Sequence, residues 1–455
     1  MTFQQFYNNR FYKLLYAGGI LLLCFLIGFV TTFLDRIYLL ALFGLIIITF
    51  LLIIFLKKHE TGWLLFAALL PFWVLGTEFR VSIGTKLHLD LSMIVLLLLG
   101  IAFLLFFLLK GRFQTNNIPN FWLVYLLFIV HIFSLLYGLF LYGEAEWGFK
   151  IIITLIFGIF LYILMALTIR DPEFLEKMFK FTFISASILL LFLIYRYLFV
   201  FHSPFLGNNI FIPTELGKSK LAIFLTLFTP LMLSYTVFHK NWKSFGGTFI
   251  FLGSLIYTLC RGACLAVFVA IIFLLIISKY RKDYFKFLIF IMIIMGIFLT
   301  TLVPQITHQF IEETGRGIRL EGSSVEDRIE WISGGLNSFF AHPIFGIGLG
   351  NFRKLQFSIP PYTECISHND YIQILVEQGL IGTLVFLFLF GSILIGLLKT
   401  LRRKVDKTRW LQEGITASII SMMVFFLTLN LYDVFPVWFI LGCSAVIFNL
   451  IKNKN

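Results

Sequence analysis

Residues 371–398 read YIQILVEQGLIGTLVFLFLFGSILIGLL. The run exceeds the ~20 apolar residues that carry a helix across a bilayer, and it lacks the apolar/polar alternation of a transmembrane barrel strand. Comparable runs recur along the whole chain, where 60% of the 455 residues are hydrophobic, 58 are Phe and only 13% are charged. A water-soluble fold of this composition would expose far too much apolar surface. The sequence predicts an all-α integral membrane protein, a polytopic helical bundle of about 12 to 14 transmembrane helices.

The expected spans before the polar stretch are Tyr12–Phe33, Ile37–Leu56, Gly62–Glu78, His88–Leu109, Pro119–Tyr142, Phe149–Ile169, Phe179–Phe201, Gly217–His239, Phe245–Cys260, Gly262–Ser278 and Tyr284–Val303. Tyr371–Leu398, Leu411–Asn430 and Phe435–Ile451 follow it. The pair around Arg261 reads either as two short spans or as one broken helix. If each span crosses, Lys57 and Lys58, Lys110 and Arg112, Arg170 with Lys177 and Lys180, Lys240 and Lys243, Lys279–Lys282 and Lys399–Arg409 share one side with both termini. Retained positive charge marks that side as cytoplasmic, in a multi-pass membrane protein. The same loops account for the formal charge of +13 without a nucleic-acid partner. The first apolar run has no small-residue cleavage site at its end and reads as an uncleaved anchor.

One long polar stretch, Pro304–His368, interrupts the apolar runs. The chain divides into an N-terminal transmembrane bundle (1–303), a large loop on the outer side (304–370), which would be periplasmic in a bacterial inner-membrane protein, and C-terminal transmembrane helices (371–455), all one integrated domain. Within the loop, Val325, Ile329, Ile332, Leu336 and Phe339 recur at helical spacing behind Ser324, which predicts a capped amphipathic helix. Five cysteines without paired metal-like spacing argue against a zinc or iron–sulfur centre; Cys260 and Cys365 fall on the same outer side, as two thiols or a pair.

Several cations fall outside the inner loops, among them Arg80, Lys150, Arg196, Lys218, Lys220, Arg261, Arg328, Arg353 and Lys354. Any one of them is explained by a lipid headgroup or an ion pair. Their concentration points to a strongly anionic ligand such as phosphate or pyrophosphate. Arg261, in TLCRGACLAVF, sits between two apolar runs, so its guanidinium belongs at the outer mouth or at a helix break facing a wet cavity. Arg328 falls on the shoulder of the loop helix's apolar stripe, facing protein or ligand; a pair with Asp327 or a stack on Trp331 is the plainer alternative. Lys218 and Lys220 suit either phosphate or snorkelling.

His368 precedes the span that opens near Tyr371, where the helix dipole favours the neutral imidazole a general base needs. Capping or headgroup contact would equally explain it. Asn369 or Ser367 can cap the helix and leave the imidazole free. Glu377, inside the span, reads as architecture first, and Asp433 as a group that orients His368 or a sugar.

Three stretches, LCRGACLAVFVAIIFLL, DRIEWISGGLNSFFAHPIFGIGLGNF and SHNDYIQILVEQGLIG, resemble in order the motifs of the bacterial O-antigen ligases, whose superfamily includes O-antigen polymerases and protein O-oligosaccharyltransferases. They cover about a third of the chain, and Cys260 stands where a serine is commoner in the family. The resemblance implies a GT-C-type glycosyltransferase acting on the periplasmic face without metal or other cofactor. Its donor would be a glycan on undecaprenyl pyrophosphate, and its acceptor a lipid A-core sugar hydroxyl. On the matching positions, Arg261 and Arg328 would hold the pyrophosphate and His368 would activate the acceptor. Lys218, Lys220, Arg80, Arg196, Asn369, Asp433 and Trp331 are the accompanying substrate-binding candidates. A flippase or transporter is the competing class, but it calls for mid-bilayer charges and an internal repeat, whereas the informative residues here gather at one face.

Overall fold

The structure is a computed structural model that describes residues 48–83, 87–110, 118–143, 146–195, 216–258, 260–301, 325–355, 367–402 and 408–452. The expected span Tyr12–Phe33, much of Ile37–Leu56, Arg196 and Cys365 lie outside these residues. Contacts divide the chain into two units: residues 1–62 with 98–111, and residues 63–97 with 112–455.

Helix α1 (Ile48–Lys57) and the start of α2 (His59–Leu69) belong to the first unit, with the second half of α3 (Leu91–Lys110). Gly62 lets them close up, because a Cβ there would lie 2.3 Å from Leu99 Cδ2. The stretch expected as one span from Gly62 to Glu78 changes character after α2, and Leu70–Phe79 is a 3-10 helix. Pro71 enters that segment without a backbone N–H to continue the α-helical ladder. A two-stranded antiparallel hairpin follows, Arg80–Ile83 paired with Leu87–Asp90, before α3 begins.

The second unit continues with α4 (Phe121–Tyr142), α5 (Glu146–Thr168), α6 (Pro172–Tyr195), α7 (Leu216–His239), α8 (Trp242–Tyr257), α9 (Arg261–Ile277) and α10 (Arg281–Thr301). The loop helix α11 (Val325–Ala341) and a 3-10 turn (Phe352–Lys354) lead to α12 (Asp370–Leu401), α13 (Arg409–Phe425) and α14 (Phe435–Lys452). Among the described residues six helices are long and apolar enough to cross a membrane. Helices α8 and α9 are two separate helices, and Cys260 immediately precedes the second.

Burial distinguishes the centre from the rim. In α7 the apolar window is 89% buried and in α14 83%, against 33% in α4. Helix α13 packs on α7 and α9, and α14 packs on α5, so α7, α13 and α14 make the core. At Gly158 of α5 the indole of Trp438 comes so close that a Cβ would lie 2.4 Å from its ring.

Helix α12 was expected to run unbroken and does not. Gly379 adopts φ 65° and ψ −162°, which interrupts the ladder inside an apolar helix. Backbone groups freed there would be costly in a medium without water. The turn after α11 takes them up. The amides of Ile347 and Gly348 donate to the carbonyls of Val376 and Glu377, each at 2.9 Å, and the amides of Leu380 and Ile381 donate to the carbonyls of Pro343 and Ile344 at 2.9 and 3.4 Å. Ser134 of α4 adds a third strand to this seam: its hydroxyl donates to the Glu377 carbonyl at 3.0 Å and its carbonyl accepts from Leu349 at 3.2 Å.

At one end of this unit, a buried ion pair joins Arg409 Nε to Glu413 Oε1 at 2.8 Å. Ser278 and Tyr284 donate hydroxyl hydrogens to Glu413 Oε2 at 2.7 and 3.3 Å, and Arg409 also bonds the Leu401 carbonyl. Lys240 pairs with Asp283 nearby along the chain, at 2.7 Å. Three of the loops rich in Lys and Arg, those around Lys240, Lys279–Lys282 and Lys399–Arg409, therefore come together at this end.

These contacts predict the stability of three variants. Gly348→Ala, with φ +91° and a Cβ that would lie 2.2 Å from Gly138 Cα, should lower the thermal midpoint in detergent, costing at least about 2 kcal/mol. Gly253→Ala, where nothing lies within 4 Å, should leave it unchanged or slightly raised. Glu413→Ala should cost about 3–5 kcal/mol by stranding Arg409, measured by the same unfolding assay.

Candidate active site

The opposite end is organised by the turn between α13 and α14. Asn369 caps α12 with its side chain, Oδ1 accepting the Ile372 amide at 3.1 Å, while Nδ2 donates to the Leu427 carbonyl at 3.3 Å. Ser367 lies just outside the helix: its hydroxyl donates to the Asn369 carbonyl at 2.7 Å and accepts from Asn430 at 3.3 Å. Of the two residues that could cap α12, Asn369 does so.

The buried carboxylate of Asp370 faces the same turn. Its Oδ2 accepts the amides of Leu431 and Tyr432 at 2.9 and 3.0 Å, and Oδ1 accepts Asn430 Nδ2 at 3.3 Å. The Asp370 amide donates back to Phe426 at 2.8 Å. Sequence reasoning did not single this residue out. The only signal was an acidic side chain in a first helical turn, which the helix dipole already explains.

His368 is half-buried, with a left-handed backbone (φ 49°). That conformation costs a non-glycine residue roughly 1–2 kcal/mol and persists where its surroundings hold it. Its ring lies against Trp331, centroids 5.6 Å apart and planes 29° from parallel. Trp331, only 4% exposed, is in turn packed with Ile347, Phe352 and Val376. The loop helix thus presses an indole onto the imidazole, and the rest of the indole faces protein.

Arg261 is the first residue of α9 and is exposed. Cys260 before it is extended, its amide bonded to Thr258 Oγ1 at 3.3 Å, and its thiol is free. Gly262 after it presses on the α13–α14 turn so closely that a Cβ would lie 2.2 Å from Thr428 Oγ1. The starts of α9 and α12 therefore rest on one short turn, and Arg261 and His368 come to it together. Arg328 lies in the first turn of α11, one helical turn before Trp331; its side chain is outside what is described.

Other candidates stand elsewhere. Lys220 places its ammonium 5.4 Å from the Trp73 ring centroid. Arg80 opens the hairpin and Lys218 the first turn of α7, both with side chains outside the description. Asp433 is half-buried and its Oδ2 accepts Thr154 Oγ1 of α5 at 3.5 Å. Desolvation raises its carboxyl above the usual range, opposed by the Thr154 bond and by the charge of Arg353. Arg353 lies 3.8 Å over Trp147, whose ring also carries the Lys150 ammonium at 3.9 Å. Glu377 is fully buried and structural: Oε1 accepts the Phe352 amide at 3.1 Å and Gln373 Nε2 at 2.5 Å.

Chemically, the arrangement offers a guanidinium at a helix start, an imidazole with a fixed backbone, and a wall of aromatic side chains. No curated protein matches the chain. Residues 246–387, however, match the family model described as O-antigen ligase. The matched stretch begins in α8, contains Arg261, Arg328, Trp331, His368, Asn369 and Asp370, and ends just past the α12 break; Arg80, Arg196, Lys218, Lys220 and Asp433 fall outside it. This central part of the chain, about a third of its length, is thus similar to the O-antigen ligase family model.

Proposed function

We propose that this protein is an O-antigen ligase, which moves a glycan from undecaprenyl pyrophosphate to a sugar hydroxyl of lipid A-core at the periplasmic face of the inner membrane. The observation that carries the reading is that one turn, Phe426–Tyr432, receives both Gly262, next to Arg261, and Asn369 and Asp370, next to His368, and that these residues of α9 and α12 lie within the stretch that matches the family. Glycosyl transfer from a lipid pyrophosphate requires two kinds of help. Negative charge gathers on the departing pyrophosphate, and the acceptor hydroxyl must lose its proton as it attacks the anomeric carbon.

Arg261, with Arg328 from the loop helix, binds the leaving pyrophosphate, and these cations do the work a metal ion would otherwise do. His368, as neutral imidazole, takes the acceptor proton. Attack from the face opposite the leaving group inverts the anomeric centre. Trp331 sets the ring's direction, Asn369 fixes the helix start behind it, and Lys218, Lys220, Arg80, Arg196 and Asp433 serve the donor and acceptor further out. The periplasmic placement is supported by the cationic loops, which cluster around Glu413 at the far end and suit the cytoplasm. Both termini are then cytoplasmic and the 304–370 loop periplasmic.

The reading is tested with purified protein, undecaprenyl-pyrophosphate-linked glycan and rough lipopolysaccharide, in EDTA. Capped lipopolysaccharide is the expected product; longer lipid-linked glycan without capping would make the enzyme a polymerase instead. His368→Ala should lower transfer by about 10²–10⁴-fold with donor binding kept, and undiminished transfer would remove the histidine from the mechanism. Arg261→Ala should weaken donor affinity by roughly tenfold or more, read by titration with the lipid pyrophosphate. Arg328→Lys should also lose activity, since an ammonium cannot reproduce the planar two-pronged contact of a guanidinium.

A further inference from the structure

Asp370 touches no substrate in the scheme above, and nothing in that scheme uses it. Yet its side chain is completely buried at the end of the bundle where Arg261 and His368 meet. A carboxylate in such a place needs donors for its lone pairs, and Asp370 has three, all from one turn: the amides of Leu431 and Tyr432 and the side chain of Asn430. With the Phe426 and Leu427 carbonyls accepting from residues 370 and 369, the turn is stapled to the start of α12 in both directions.

The same turn receives the start of α9, since Gly262 lies against Thr428. A single segment of seven residues, Phe426–Tyr432, therefore touches both the residue that follows Arg261 and the two residues that follow His368. Hydrogen bonds from two successive backbone amides to one oxygen fix direction as well as distance. His368 lies two residues before Asp370, in a left-handed conformation that its chain neighbours must hold.

We propose that Asp370 is a positioning residue for glycosyl transfer: by clamping the α13–α14 turn it holds His368 at its working distance from the anion site at the start of α9. The proposal rests on the ligase reading for its reaction but not for its geometry. Displacement of a reacting group by about 1 Å lowers turnover far more than binding, so the loss belongs in kcat.

The test uses full-length protein carrying Asp370→Asn, or Asn430→Ala, which removes one of the three donors and leaves the carboxylate. Three quantities are measured: kcat and donor KM for transfer, the thermal midpoint, and the rate at which diethyl pyrocarbonate modifies His368, followed by peptide mass spectrometry. Asp370→Asn is expected to lower kcat by about tenfold or more with donor KM within about threefold, and to change the His368 modification rate by about threefold or more at an unchanged midpoint. Asn430→Ala should move kcat and reactivity the same way by less. Folded Asp370→Asn protein with kcat and His368 reactivity within about twofold of the parent would overturn the proposal. If Asp370→Asn does not fold, Asn430→Ala decides by the same criterion. Should the parent protein show no transfer at all, the ligase reading fails, and the His368 reactivity of the variants still judges the clamp.

Discussion

The structure depends on how backbone hydrogen bonds are completed where an apolar helix stops being a helix. At Gly379 α12 abandons its own ladder, and the Pro343–Gly348 turn supplies carbonyls on one side of the break and amides on the other. In a hydrocarbon environment each orphaned group would cost several kcal/mol, so the broken helix and the turn are stable only together. Much else follows from this seam. It brings Phe352 to Glu377, packs Trp331 against Ile347 and Val376, and through Trp331 reaches the imidazole of His368. The loop helix is thus fastened to the bundle by main-chain bonds.

The two ends of the larger unit solve the problem of buried charge differently. Around Glu413 a cation is at hand, and Arg409, Ser278 and Tyr284 complete the shell of an ion pair. Around Asp370 the shell consists of backbone amides and one carboxamide. Arg261, whose neighbour Gly262 lies against the same α13–α14 turn, is exposed.

How much of this was legible in the sequence depends on whether the determinant was a side-chain pattern or a backbone partner. Helices α4 to α10 follow from long apolar runs, and α11 from a 3.6-residue period behind a serine. The Asn369 cap follows from an Asx residue one place before the helix, and the structural role of Glu377 from the cost of burying a charge. The α12 break was not legible, because QGLIGT reads as one more apolar turn and its partners are main-chain atoms 29 to 37 residues earlier. Asp370 escaped for the same reason: backbone amides leave no compositional trace. The ring of Trp73 near the Lys220 ammonium was likewise invisible in the sequence, because the two residues lie far apart along the chain.

The stitched break also bears on how such chains can be recombined. Residues 343–349 and 376–381 are remote in sequence but exchange hydrogen bonds as closely as two strands of a sheet, with Ser134 completing the set. A chimera that imports a new loop up to His368 while keeping the resident α12 would divide that unit and leave main-chain groups unmet within the apolar interior. The transferable module is therefore the loop together with the first third of α12, and its natural boundary lies beyond Ile381, inside what looks like an uninterrupted transmembrane helix.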